Sequence, residues 1–172
     1  MPANIGIKAR VKNVGALRAR VRALAQRDAV VLRQEDTFFH VSSGRLKLRV
    51  IDDAHGELIY YQRTDEVGPT QSEYLISPVA DYGALKAVLS SALGVRGVVR
   101  KKRELFTIGR TRVHLDDVEG LGAFMELEVV LAPGESQETG HAEAQGLLDS
   151  LVIQPGDLVD RAYIDLIEAR PL

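Results

Sequence analysis

Along most of this chain apolar and polar residues alternate with a period of two, the pattern of strands that bury one face. The alternation predicts strands over residues 5–11, 30–41, 45–51, 57–63, 72–78 and 95–106. Two more, within 110–130, face each other across a turn at 118–122. In three places the apolar spacing lengthens to that of a helix. Asn13 caps the first, with Val14, Leu17, Val21 and Leu24 as its stripe and Arg18, Arg20, Arg22 and Arg27 as a solvated face. Asp81 opens the second, with Leu85, Val88, Leu89 and Leu93 inward and Gly94 as its stop. The third covers 136–151, after Pro133-Gly134 breaks the preceding strand. Residues 155–159 begin a fourth helical turn, while 163–167 fit neither period. Hairpin-length turns join most strands, so the class is α+β with a largely antiparallel sheet. The order strand, helix, strands occurs roughly twice, which suggests two similar halves closing on each other within one domain, 1–172.

Composition changes this picture only by exclusion. Hydrophobic residues make up 45% and charged residues 27%, ordinary values for a soluble globular protein. The net charge of -2 gives no reason to expect a nucleic-acid or membrane-surface partner. With no cysteine, disulfides, zinc-thiolate sites and cysteine nucleophiles are ruled out. No apolar run reaches the length of a membrane span and no signal-peptide core opens the chain, so a cytoplasmic enzyme or binding domain is expected.

The charges carry more. Cations recur two residues apart on four strands: Lys8 with Arg10, Arg45 with Lys47 and Arg49, Lys101 with Arg103, and Arg110 with Arg112. Rows of like charge across a sheet are destabilising unless an anion faces them. They point to a closed or cupped sheet with a basic interior, and convergent Arg and Lys recognise phosphate. Six to eight cations exceed what one phosphate needs and suit a polyphosphate chain. Glu126 and Glu128 share one strand face, with Asp116 at the end of the neighbouring strand. Hard oxygen ligands of this kind suit magnesium or manganese. His114 shares the parity of Arg112 and Asp116. His40, His55 and His141 show no metal-ligand spacing. Tyr61 and Tyr74 are more simply core or rim residues than base contacts, and Gly120-x-Gly122 is no phosphate loop because no helix follows it.

Seven segments resemble one family: IKARV, RQEDTFF, GRLKLRV, ELIYYQR, SEYLI, VVRKKRELF and, longest and most specific, RTRVHLDDVEGLGAFMELEVVL. They are similar to those of the CYTH family, the triphosphate tunnel metalloenzymes, and within it to bacterial class IV adenylate cyclase-like proteins. The resemblance implies an eight-stranded antiparallel β-barrel, the triphosphate tunnel, with flanking helices. Carried over by motif, Lys8, Lys47, Arg49, Arg63, Lys101, Arg103 and Arg112 would contact phosphates, and Asp116, Glu126 and Glu128 would hold Mg2+ or Mn2+. The implied partner is ATP or another triphosphate. The implied reactions are cyclisation of ATP to cyclic AMP and pyrophosphate, or hydrolysis of thiamine triphosphate, tripolyphosphate or a nucleoside triphosphate. A homodimer enters only by analogy with relatives. One departure stands out. Where the family carries Glu-x-Glu-x-Lys on its first strand, this chain has Asn4-Ile5-Gly6-Ile7-Lys8, so both carboxylates are missing. That favours binding over turnover.

Overall fold

A computed structural model describes residues 2–64 and 66–171. Its elements in order are β1 (Ala3–Arg10), α1 (Val14–Leu24), β2 (Val30–Phe39), β3 (Arg45–Ile51), β4 (His55–Arg63) and β5 (Thr70–Val79). There follow α2 (Tyr82–Leu93), β6 (Val95–Ile108), β7 (Thr111–Val118), β8 (Gly122–Val130), α3 (Gln137–Ser150), β9 (Leu158–Val159) and α4 (Tyr163–Glu168). The strands form one sheet in the order β5-β4-β3-β2-β6-β7-β8-β1, and β5 pairs back onto β1 to close it. Every pairing is antiparallel. Closure leaves no long edge exposed, which removes the usual hazard of an open antiparallel sheet. The barrel consists of two runs of four strands, joined along β2–β6 and along β5–β1.

The expected helical turn over 155–159 is a single 3₁₀ turn, Pro155–Asp157, followed by β9. That strand exists because β5 pairs with β1 only over Ala3 to Gly6, leaving the far half of β1 open to Leu158 and Val159. Residues 163–167, which fit neither period, lie in α4, a helix too short to show one.

The caps form as read: Ala16 N–H donates to Asn13 Oδ1 at 3.0 Å, and Ala84 N–H to Asp81 Oδ1 at 3.0 Å. Helices α1 and α3 cover the outside of the barrel. Leu17 and Val21 of α1 and Leu148 of α3 pack with Leu151 on the outward-facing Ile7, Ala9, Val113, Leu115, Met125 and Leu127. Full burial of each such side chain contributes about 1.5–3 kcal/mol. Gly140 brings α3 so close that a Cβ there would meet Ile5 Cγ1 at 2.6 Å and Leu131 Cδ2 at 2.7 Å. The apolar face of these strands therefore looks out, under helices, and the charged face looks in.

Helix α2 departs from expectation. None of its residues is buried, and Val88 is 61% and Leu93 38% exposed. Its stripe meets the barrel only along the Leu85 and Leu89 edge, because α2 lies over β2, β3 and β4, with Tyr82 anchored by its hydroxyl to Asp53 O at 2.9 Å.

Candidate functional site

The barrel interior is a cavity of about 360 Å³ lined by all seven of the expected phosphate-contacting cations. They reach it from five strands: Lys8 on β1, Lys47 and Arg49 on β3, Arg63 on β4, Lys101 and Arg103 on β6, and Arg112 on β7. Lys8, Lys101 and Arg103 are almost wholly buried. A cation in that position must be paired, since an unpaired one costs several kcal/mol.

The pairing is done by two carboxylate centres. Asp36, 1% exposed, accepts from Lys47 at 3.0 Å, from Lys101 at 3.2 Å and from Arg49 at 2.7 and 2.8 Å. Burial alone would raise its pKa, yet Arg49, Lys101 and Lys47 hold it well below the usual carboxylate range. The lysines bear the cost. Burial, reinforced by neighbouring guanidinium groups and only partly opposed by Asp36, brings Lys101 down to about 7 and Lys47 to about 8. The second centre joins Arg103 to Asp116 by a bidentate pair at 2.7 Å and to Glu126 at 3.2 Å. Lys8 lies 3.2 Å from Glu126 and Arg112 lies 2.8 Å from Glu128.

Three side chains on the wall could hold a metal: His114, Glu126 and Glu128 each offer a ligand atom, and these lie within 4.8 Å of one another. Register puts them side by side, since His114 pairs with Glu126 and Arg112 with Glu128 across β7 and β8. His114 is 3% exposed, and its Nδ1 has no hydrogen-bond partner, the nearest carboxylate oxygen being Glu126 Oε2 at 3.7 Å. Burial and then Arg103 lower the imidazole pKa, which leaves a lone pair free at neutral pH. The donor set therefore fits a divalent cation. Asp116, the third ligand expected from the motif, does not line the cavity. Its carboxylate is taken up by Arg103 and by the Tyr163 hydroxyl at 2.8 Å. His114, two residues earlier on the same strand face, occupies the position beside the glutamates.

Helix α4 packs over one end of the barrel. Tyr163 stands under Lys8, whose Nζ is 3.7 Å from the ring centroid, and Ile164 packs with Phe38, Val99, Val118 and Phe124. Tunnel cations steady this segment, with Lys8 donating to Arg161 O at 3.2 Å and Arg63 to Asp160 O at 3.4 Å. Asp165 fastens α4 from outside, pairing with Arg45 at 2.9 Å and Arg96 at 2.7 Å. Arg45 and Arg110 thus leave the rows that their parity suggested. Arg110 instead bonds Glu135 and Glu143, beside α3.

Strand β1, which pairs with β8 directly beside the glutamates, bears the first-strand departure. Asn4, 6% exposed, lines the cavity, and Gly6 stands across from Glu128 with no side chain to offer. Asp36 is the residue that sequence reasoning passed over. It lay inside the RQEDTFF segment, but nothing local marks an aspartate whose partners come from two other strands. Tyr163 lay in the tail segment AYIDL, which also resembles the family, but no contact was read for it there.

A profile described as the CYTH domain matches residues 3–163. A protein of Methanocaldococcus jannaschii, named as a candidate adenylate cyclase, is 25% identical over 142 residues, 77% of this chain and 80% of its own. A solved structure from Pyrococcus horikoshii OT3 superposes with a TM-score of 0.83 at 25% identity, over 95% of this chain and 98% of its own. A Hippeastrum protein, described as a candidate adenylyl cyclase with a dominant triphosphatase activity, shares the fold with a TM-score of 0.69 at 16% identity, over 98% and 97%.

Proposed function

The chain belongs to the CYTH domain family, and from that premise we propose that its tunnel binds an organic triphosphate with a divalent cation and converts ATP to cyclic AMP and pyrophosphate. The observation that carries this reading is the convergence of seven cations on one cavity whose wall also holds His114, Glu126 and Glu128. In the free protein Lys47, Arg49 and Lys101 rest on Asp36. Phosphate oxygens compete for those donors, and the buried Nε atoms of Arg63 and Arg112 have no other partner. Convergent donors of this kind hold the chain extended and exclude water from its bridging oxygens. His114, Glu126 and Glu128 would hold Mg2+ or Mn2+, which when bound neutralises charge on the phosphate oxygens. In the proposed reaction the ribose 3′ oxygen bonds the α-phosphorus and pyrophosphate leaves. The cyclase direction draws support from the name of the M. jannaschii relative.

Incubation with ATP, thiamine triphosphate and tripolyphosphate, each with Mg2+ or Mn2+, tests it by product identification. Cyclic AMP and pyrophosphate from ATP are expected, and their absence relative to the Glu126→Gln, Glu128→Gln double variant refutes the cyclase. Orthophosphate release instead identifies a triphosphatase, which the same cradle would serve. A second reading, binding without turnover, is favoured by Asn4 and Gly6, which offer no carboxylate on β1. It requires ligand stabilisation with no product from any of the three substrates.

A further inference from the structure

Lys8 and Lys101 enter the cavity from strands three places apart around the barrel, β1 and β6. Each ammonium rests on its own carboxylate, Lys8 on Glu126 at 3.2 Å and Lys101 on Asp36 at 3.2 Å. Both also face one aromatic ring. Nζ of Lys8 lies 3.7 Å and Nζ of Lys101 5.6 Å from the ring centroid of Tyr163, which lines the cavity. That ring is fixed from three directions. Its hydroxyl donates to Asp116 at 2.8 Å, and Phe124 meets it edge-on with centroids 5.1 Å apart. The preceding Ala162 N–H donates to Asp165 Oδ2 at 3.1 Å, and Asp165 is gripped in turn by Arg45 and Arg96. An aromatic face attracts cations through its quadrupole, most strongly where water is excluded. Unlike a carboxylate, it carries no net charge to repel an arriving phosphate.

We propose that Tyr163 is a positioning residue of the phosphate cradle, its ring holding the Lys8 and Lys101 ammonium groups toward one phosphate group. When phosphate oxygens draw those groups off Glu126 and Asp36, the ring is the partner that both keep. Without it the two like charges separate, each onto its own carboxylate, and the cost of bringing them together comes out of the binding energy. Tyr163 touches no reacting atom in this scheme and acts only through the lysines. Its hydroxyl serves a different end: the bond to Asp116 fixes the ring, while Arg103 also holds that carboxylate. Helix α4 is then a working part of the site as well as the cover of one end of the barrel. The inference rests on the triphosphate reading above and adds a residue to its machinery.

The test is a series of tripolyphosphate binding constants for the full chain without added metal, so that turnover does not intrude. Tyr163→Phe is compared with mono-, di- and trifluorophenylalanine at the same position, which keep the ring's shape while draining its electron density step by step. Tyr163→Leu completes the series as an apolar side chain with no ring. Tyr163→Phe is expected to bind within about twofold of the unsubstituted protein, because the cation–ring contacts survive. Affinity should then fall stepwise with fluorination, reaching about tenfold for the trifluorinated ring and at least as much for Tyr163→Leu. A ring that only fills space gives a flat fluorination series, and that result overturns the positioning role. So does a Tyr163→Phe variant that loses as much affinity as Tyr163→Leu, since the hydroxyl would then be the group that matters. Circular dichroism confirms that each variant folds, and the near-isosteric fluorinated set keeps the test decisive even if Tyr163→Leu does not. Failure of the unsubstituted protein to bind tripolyphosphate overturns the triphosphate reading itself, and the positioning role with it.

Discussion

Asp36→Asn separates the stability of this tunnel from its affinity. The substitution keeps the shape of the side chain and removes the charge that Lys47, Lys101 and Arg49 approach to between 2.7 and 3.2 Å. The side chains of these three are only 12%, 2% and 14% exposed, so solvent cannot substitute. Breaking a buried pair by deleting one partner costs about 3–5 kcal/mol, because the remaining charge stays buried. For a chain of this size each kcal/mol moves Tm by about 2–4 °C, so a fall of roughly 6–20 °C is expected. Lys101 is brought down to about 7 even with Asp36 holding it up. It loses that support in the variant and can shed its proton, so the loss should be larger at low pH and soften as pH rises. The same three cations, released from Asp36, should hold tripolyphosphate more tightly. At a ligand concentration one hundred times Kd the recovery is about 2.7 kcal/mol. Calorimetric melting with and without tripolyphosphate reads both effects. A variant melting within about 2 °C of the parent, or one that tripolyphosphate stabilises less than the parent, would show that Asp36 is not the counter-charge of the cradle.

Other outcomes follow from the same contacts. Lys101 at about 7 and Lys47 at about 8 gain protons when a polyanion binds, so tripolyphosphate affinity should fall between pH 7 and pH 9. Calorimetry at pH 8 in buffers of different ionisation enthalpy should show proton uptake, and none would refute it. Stability of the free protein runs the other way: unfolded lysines keep their protons to about pH 10.4, so the unfolded state binds more protons and stability rises from pH 7 toward 10. Glu128→Gln should weaken Mn2+ binding by about 10–100-fold, measured by loss of the free-ion paramagnetic resonance signal. Gly6→Glu should fold, since a Cβ there meets nothing closer than Leu127 O at 3.7 Å, and should tighten Mn2+ binding by adding a carboxylate opposite Glu128. Tyr163→Phe removes the 2.8 Å bond to Asp116 and should cost about 1 kcal/mol in urea denaturation, because Arg103 still holds that carboxylate.

What the sequence by itself determined is local. Alternation placed eight barrel strands, Asn13 and Asp81 marked two helix starts, and the long motif through Glu128 identified the family. Each of these is written in neighbouring residues, through backbone period, capping and motif. The helix stripe of α2 was read correctly as apolar but wrongly as buried, since nothing local shows how much barrel lies beneath it. Period two also states which residues share a face without stating where that face looks. Closure of β5 onto β1 decided that the charged face turned inward and the apolar face outward under α1 and α3. Non-local pairing then sorted residues of equal parity. Arg112 went to the cavity and Arg110 to Glu135 and Glu143. Asp116 was turned to Arg103 and Tyr163, and His114 took the place beside the glutamates. Asp36 acquired its importance only from β3 and β6, strands brought beside it by the register of the barrel. A buried charge is defined by what surrounds it, and those surroundings come from residues far along the chain.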